Sequence, residues 1–210
     1  MPERKCVQKA SLPRTQRDRE QGCKYEVRVM SSVDAPVSAA SVANAFLDIE
    51  TQDSGQFPLI DQMKLQKLLY YAHAWWLAST GHALFDDDVE AWPWGPVIRD
   101  VYLEFKDFGR KPIGDKRATE LVKVGEGHLD YKIVRPATVP DYVKNHLRNV
   151  WDTHKSMSGV QLSNATHALG EPWTIVRDQY GNLDGKPRIP NDLIRDVFRS
   201  KLDAPEAAAG

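Results

Sequence analysis

One segment limits the fold more than any other: DQMKLQKLLYYAHAWWLASTG, residues 61–81. Leu65, Leu68, Leu69, Ala72, Trp75, Trp76 and Ser79 recur at helical spacing on one face. Tyr71, Ala74, Leu77 and Ala78 carry the apolar surface further round. A helix that is apolar on most sides must be enclosed by other elements. The segment is therefore expected to be the central helix of a mainly helical domain, and an apolar content of 41% supplies enough residues to surround it. Asp61 suits its N-cap and Gly81 its end. Lys64, Gln66 and Lys67 sit in its first turns, so that end is expected to meet water or a partner.

The neighbouring segments supply the other layers. SAASVANAFLDIE reads as a first helix, capped by Ser38 or Ser41, with Val42, Ala45, Phe46 and Ile49 on one face. Gln52–Pro58 reads as a loop. Residues 89–94 alternate as a short extended segment. Pro93 cannot donate to a ladder, which makes the segment an edge strand or an irregular run. Pro96 suits a first helical position, so a third helix is expected from Gly95-Pro96 onward, packed through Val97, Val101 and Phe105. Glu120–Val124 and Tyr131–Val134 read as a small hairpin around Gly125-Glu126-Gly127. A fourth helix follows Pro140, with Val143, Leu147, Val150, Trp151 and His154 on one face. Ser158 and Gln161 form a capping box for a fifth over Gln161–Leu169. Pro172 opens a sixth and Pro190 a seventh. The expected fold class is mainly α (α+β): a compact helical domain of about six or seven helices around the central one, with a small β-hairpin or short edge strands.

The ends read differently. Residues 1–36 lack a sustained period and read as a disordered extension, and Met30 is a candidate alternative start. The domain is expected over 37–203, with a tail at 204–210. Residues 1–29 hold eight Lys/Arg against four Asp/Glu, leaving 20 against 25 in the remainder. A mildly acidic domain argues against nucleic acid as the partner. Both cysteines, Cys6 and Cys23, precede the domain, so neither a disulfide nor a thiol nucleophile is available within it. There is no membrane-length apolar run and no signal-peptide pattern, and a cytoplasmic protein is expected.

Catalytic patterns are absent: no phosphate-binding glycine loop, no nucleophile elbow and no H-E-x-x-H occurs. No catalytic residue, cofactor or metal is assigned. Asp86-Asp87-Asp88 reads as a solvated acidic turn. His167 and Glu171, four residues apart, are weighed as a metal pair for a hydrolase, against a histidine hydrogen-bonded locally where two helices meet. His73 and His154 read as core or boundary histidines. A DNA-binding regulator is the remaining alternative.

Several blocks together are similar to a known family. Lys64-Leu65-Gln66-Lys67-Leu68-Leu69-Tyr70-Tyr71-Ala72, then Trp75, Phe85, Glu90-Ala91-Trp92, Gly95-Pro96-Val97 and Tyr102 run through the first half of the domain. Leu162, Thr166-His167 and Pro172-Trp173 follow later. Over about residues 60–180 the chain resembles the Panacea-domain antitoxins, most closely the SocA-type proteolytic adaptors. The resemblance implies a non-enzymatic antitoxin that binds a cognate, SocB-like toxin and presents it to the ClpX/ClpP protease. Neutralisation by direct binding without degradation is the variant reading. Aromatic and arginine side chains most often carry interface energy. The candidate partner-binding residues are accordingly Trp94 and Arg99, with Trp92, Lys64 and Lys67 beside them.

Overall fold

The computed structural model describes residues 36–53, 57 and 59–203. The extension expected over 1–36, with its alternative start at Met30, and the tail from Ala204 lie outside the described residues, apart from Pro36. Among those residues the elements are α1 (Ala39–Gln52), α2 (Gln62–Thr80), β1 (Val89–Trp92), β2 (Gly95–Ile98), α3 (Arg99–Phe105) with a 3-10 turn at Lys106–Phe108, β3 (Glu120–Lys123), β4 (Tyr131–Val134), α4 (Asp141–His154), α5 (Gly159–Thr166), α6 (Pro172–Tyr180) and α7 (Asn191–Asp203).

The central helix is α2. The Asp61 carboxylate accepts the Lys64 backbone N–H at 2.7 Å, which satisfies one of the free donors of the first turn. At the other end Gly81 takes φ 78°, and its N–H is bonded to the Leu77 carbonyl. Between these caps Leu65, Leu68, Leu69, Tyr70, Ala72 and Ala74 are sealed from solvent. Helices α1, α4, α5 and α7 and strand β2 all pack on α2. Phe198 of α7 meets Trp75 edge-on at 4.8 Å and Tyr70 at 5.9 Å. The result is a mainly helical domain with two small antiparallel strand pairs.

Local signals set the other boundaries. Ser38 accepts the Ser41 N–H and starts α1. Beyond the end of α1, Asp53 accepts Trp151 Nε1 and Arg148 Nη1, both at 2.7 Å, and so ties that end to α4. Ser158 and Gln161 form the reciprocal capping box of α5. That helix stops at Thr166, short of the expected Leu169: Gly170 turns the chain at φ 81°, and Leu169 points into solvent at 96% exposure.

The largest departure from expectation is at Gly95-Pro96, which begins a strand rather than a helix. Antiparallel pairing aligns Val89 with Ile98 and Trp92 with Gly95, so Pro93-Trp94 is the two-residue turn of a tight hairpin. Helix α3 starts only at Arg99, and Val97 belongs to β2. Nor is β1 an edge. Ala91 N–H donates to the Pro187 carbonyl and Ile189 N–H to the Val89 carbonyl, so the segment 187–189 lies along its other side. Pro93 escapes the ladder altogether by sitting in the turn. No described helix is long and apolar enough to cross a membrane.

Loss of the α2 cap should be measurable. Asp61→Ala is expected to lower unfolding free energy by about 1 kcal/mol, read as a lower urea midpoint at unchanged slope.

Candidate functional site

The start of α2 does not face water. Lys64, Gln66 and Lys67 are all buried, Lys67 at 1% exposure, contrary to the expectation for that end of the helix. The reason lies in β2. Its outer edge has no strand neighbour, and α2 supplies side chains instead. Gln66 Oε1 accepts the Ile98 N–H at 2.8 Å, and Lys67 Nζ donates to the Pro96 carbonyl at 2.9 Å. Pro96 has no N–H to satisfy, so two side chains suffice for this stretch. Lys64 turns the other way, donating to the Lys155 carbonyl at 2.8 Å with its ammonium 5.1 Å from the Trp151 ring centre. Burial pulls the Lys64 amine down to about 8 and that of Lys67 to about 7.

Thr166 of α5 and His167 just beyond it lie nearest to Lys67, and further buried polar groups sit on α2 and α6. Gly95 takes φ 98°, and a Cβ there would lie 2.7 Å from Thr166 Oγ1 and 2.8 Å from Lys67 Nζ. Only glycine allows this approach. Tyr70 stands one turn beyond Gln66, on the same side of α2. Its hydroxyl, Gln66 Nε2 and Thr174 Oγ1 are buried without a hydrogen-bond partner. The same holds for His167 Nε2 and Glu171 Oε2 at the α5–α6 junction. The positive charge of Lys67 is felt at His167, and the Glu171 carboxylate raises the Tyr70 hydroxyl further after burial has raised it most. Glu171 Oε1 is engaged by Lys201 at 2.6 Å. His167 does not take the expected local hydrogen bond through Nε2; its ring lies 3.8 Å from that of Trp173. No group of three or more His, Cys, Asp or Glu able to hold a metal ion occurs among the described residues.

The other candidates divide between the two ends of the β1–β2 hairpin. Trp94 occupies the turn and is 70% exposed. Its carbonyl accepts Ser163 Oγ at 2.8 Å, which fixes the turn on α5, close to Lys67. Arg99 lies at the open end, about 16 Å away by five residue steps of extended chain. It forms a long ion pair with Glu90 at 3.9 Å. Trp92 is half-buried: Nε1 donates to Glu90, its ring meets Tyr102 at 4.7 Å, and its carbonyl accepts Trp173 Nε1. Thus Trp94 and Lys67 are neighbours, whereas Arg99 and Trp92 share a separate surface.

Three features escaped sequence reasoning. Lys186, in the left-handed region at φ 47°, holds its ammonium 3.9 Å from the Trp92 ring centre. A lysine before a proline in an unpatterned loop gives no sign of this contact. The β3–β4 hairpin leaves Leu121, Tyr131 and Ile133 exposed on one face, and Leu129 at its turn. The strand alternation was readable, but which side would be covered was not. A groove of about 430 Å³ also runs between α1, α4 and residues 135–139, with Asn44, Ile49, Arg135 and Arg148 among its walls.

Gly95→Ala is expected to destabilise the fold by about 2–4 kcal/mol, combining backbone strain with overpacking, read by urea unfolding. A second expectation concerns pH. Burial holds His73 down to about 4 and lowers His146, His154 and His167 as well. Below pH about 6.5 the unfolded chain binds protons that these native histidines refuse. Stability is then complete above that value and falls as pH drops toward 4. Urea midpoints across that window measure the fall, and His73→Asn should shrink it.

The polar cluster coincides with a recognised stretch of chain. The family model described as "Antitoxin SocA-like, Panacea domain" matches residues 65–174, more than half of the chain and inclusive of Lys67, Gly95, Thr166 and Thr174. Antitoxin SocA of Caulobacter vibrioides (strain NA1000 / CB15N) is 35% identical over 164 residues, covering 78% of this chain and 83% of that relative. No solved structure matches. The chain belongs to the SocA-like Panacea-domain antitoxin family.

Proposed function

We propose that this protein is an antitoxin that works by binding: it captures a cognate, SocB-like toxin and, as an adaptor, delivers it to the ClpX/ClpP protease in the cytoplasm. The observation that carries the reading is family membership, with 35% identity to Antitoxin SocA across most of both chains. The absence of catalytic motifs from the sequence agrees with a role that involves no reaction of its own.

An adaptor must hold two proteins at once and therefore needs two separable surfaces. The exposed Trp94 turn, pinned to α5 through its own carbonyl, is the surface assigned to the toxin. A rigidly held aromatic gives up little entropy on binding. Trp92, paired with Gly95 beside the turn, and Arg99, at the open end, meet at Glu90 on the separate surface. The apolar side of the β3–β4 hairpin is a separate exposure, available for the second partner.

Trp94→Ala is expected to weaken toxin binding at least tenfold without moving the melting temperature, because the side chain is mostly in solvent. Arg99→Ala should have the smaller effect of a rim charge. A pull-down from the host with a protease-dead ClpP trap should recover the product of the adjacent gene only when this protein is present. Toxin bound yet absent from the trap would favour neutralisation by direct binding. If the gene stayed essential after deletion of its neighbour, the antitoxin reading would fail.

A further inference from the structure

The ribbon β3–β4 makes a sheet of its own. Among the described residues no third strand pairs with it. A lone strand pair is marginal in water, and three or more strands are what give such a unit stability. Every residue from Leu121 to Ile133 is exposed, and Leu121, Tyr131 and Ile133 share one face.

The ladder determines which backbone groups are free. Val124 N–H donates to the Asp130 carbonyl at 2.7 Å, and the register pairs Lys123 with Tyr131 and Leu121 with Ile133. Bonded and non-bonded positions alternate along an antiparallel pair. Val122–Lys132 and Glu120–Val134 are therefore the bonded pairs, and Tyr131 and Ile133 turn their N–H and C=O groups away from β3. The Leu129 carbonyl accepts the Tyr131 N–H at 2.9 Å. The Tyr131 carbonyl and both groups of Ile133 have no partner among the described residues. The side chains along this edge alternate in character. Tyr131 and Ile133 lie on one face, Lys132 on the other, and Arg135 follows where β4 ends. Neither cationic side chain has a hydrogen bond or an ion pair among the described residues.

We propose that the outer edge of β4 takes up an extended segment of a partner protein as a third strand, with apolar residues opposite Tyr131 and Ile133 and carboxylates opposite Lys132 and Arg135. Directly opposed residues of neighbouring strands share a face, so the pattern follows from the edge itself. Main-chain bonds at Ile133 supply affinity, and the alternating side chains supply selectivity. The edge of β3 is the shorter one, since Thr119 just before it is tied to Glu104 of α3. A second copy fits this edge badly. Antiparallel pairing of two β4 strands would lay turn residues of one copy against Ala137 of the other, whose carbonyl already accepts Ser41 Oγ of α1 at 2.9 Å. A short segment need reach only Arg135. In the antitoxin it would belong to the second partner assigned to this hairpin. That identification rests on the proposed function; the edge itself does not.

Amide hydrogen exchange, followed by NMR on the full-length protein, reads the edge directly. In the free protein the Ile133 amide should exchange fast, and those of Lys132 and Val134, bonded to β3, more slowly. The probe is a five-residue synthetic peptide, acetylated and amidated, with glutamate at its first and fourth positions and valine elsewhere. It should slow Ile133 exchange saturably. Methylating the backbone nitrogen of its third residue, which faces Ile133, should weaken binding at least tenfold, and lysine in place of glutamate several-fold. Ile133→Pro keeps the inward bonds, because proline is tolerated where the N–H faces solvent. It should abolish peptide-induced shifts at the Tyr131 and Lys132 amides while Val122 exchange stays unchanged. An Ile133 amide already slow at every protein concentration would mean that the chain covers its own edge. Slowing that grows with protein concentration would make the occupant a second copy. Either result overturns the proposal, as does equal binding of the methylated peptide or the lack of any saturable change. Peptide bound by a protein without toxin affinity sinks the antitoxin reading alone; toxin delivered to the protease with the Ile133 amide blind to the peptide sinks the edge alone.

Discussion

Two side chains of a helix take the place of a strand. Gln66 and Lys67 satisfy the backbone of β2 at Ile98 and Pro96, and this substitution fixes where the hairpin sits on α2. Other helices complete the attachment at the turn: Ser163 of α5 donates to the Trp94 carbonyl, and Trp173 of α6 to the Trp92 carbonyl. A four-residue strand pair is marginal alone. Here its carbonyls are held from three helices, so the hairpin is a joint of the helical domain rather than an appendage.

The arrangement concentrates polar groups where an apolar core would be more stable. A buried lysine lowered to about 7 and several unpaired donors lie beside rings that pack tightly. Removing such groups in favour of well-packed apolar ones is often neutral or stabilising. They fall within the matched stretch 65–174, and Lys67 lies against a glycine that admits no Cβ. Trp94 projects from that same location into solvent.

Much of the helical framework was legible. Asp61, Gly81, Ser38 and the Ser158–Gln161 pair are caps whose chemistry is local, and each acts where the sequence places it. The β3–β4 hairpin follows from alternation around a glycine turn. What could not be read was tertiary. Pro96 fits a first helical turn by its own φ, and only pairing with Ala91 makes it a strand residue. Lys64, Gln66 and Lys67 look solvent-facing because local sequence assigns charge to water. The carbonyls that bury two of them belong to residues 29 and 91 positions away. Arg99 and Trp94 look adjacent in the chain, but the hairpin sends them to opposite ends.

The segment 187–189 carries a consequence for the order in which the domain is completed. Until residue 189 has left the ribosome, β1 has a neighbour on one side alone, and its other edge stays open. Unpaired strand edges and exposed apolar rings are where nascent chains associate wrongly. Phe198, which covers Tyr70 and Trp75, arrives later still. The central helix is thus among the first elements made and among the last to be enclosed. A chain interrupted before α7 would present the Tyr70 and Trp75 rings of α2 on an unfinished body.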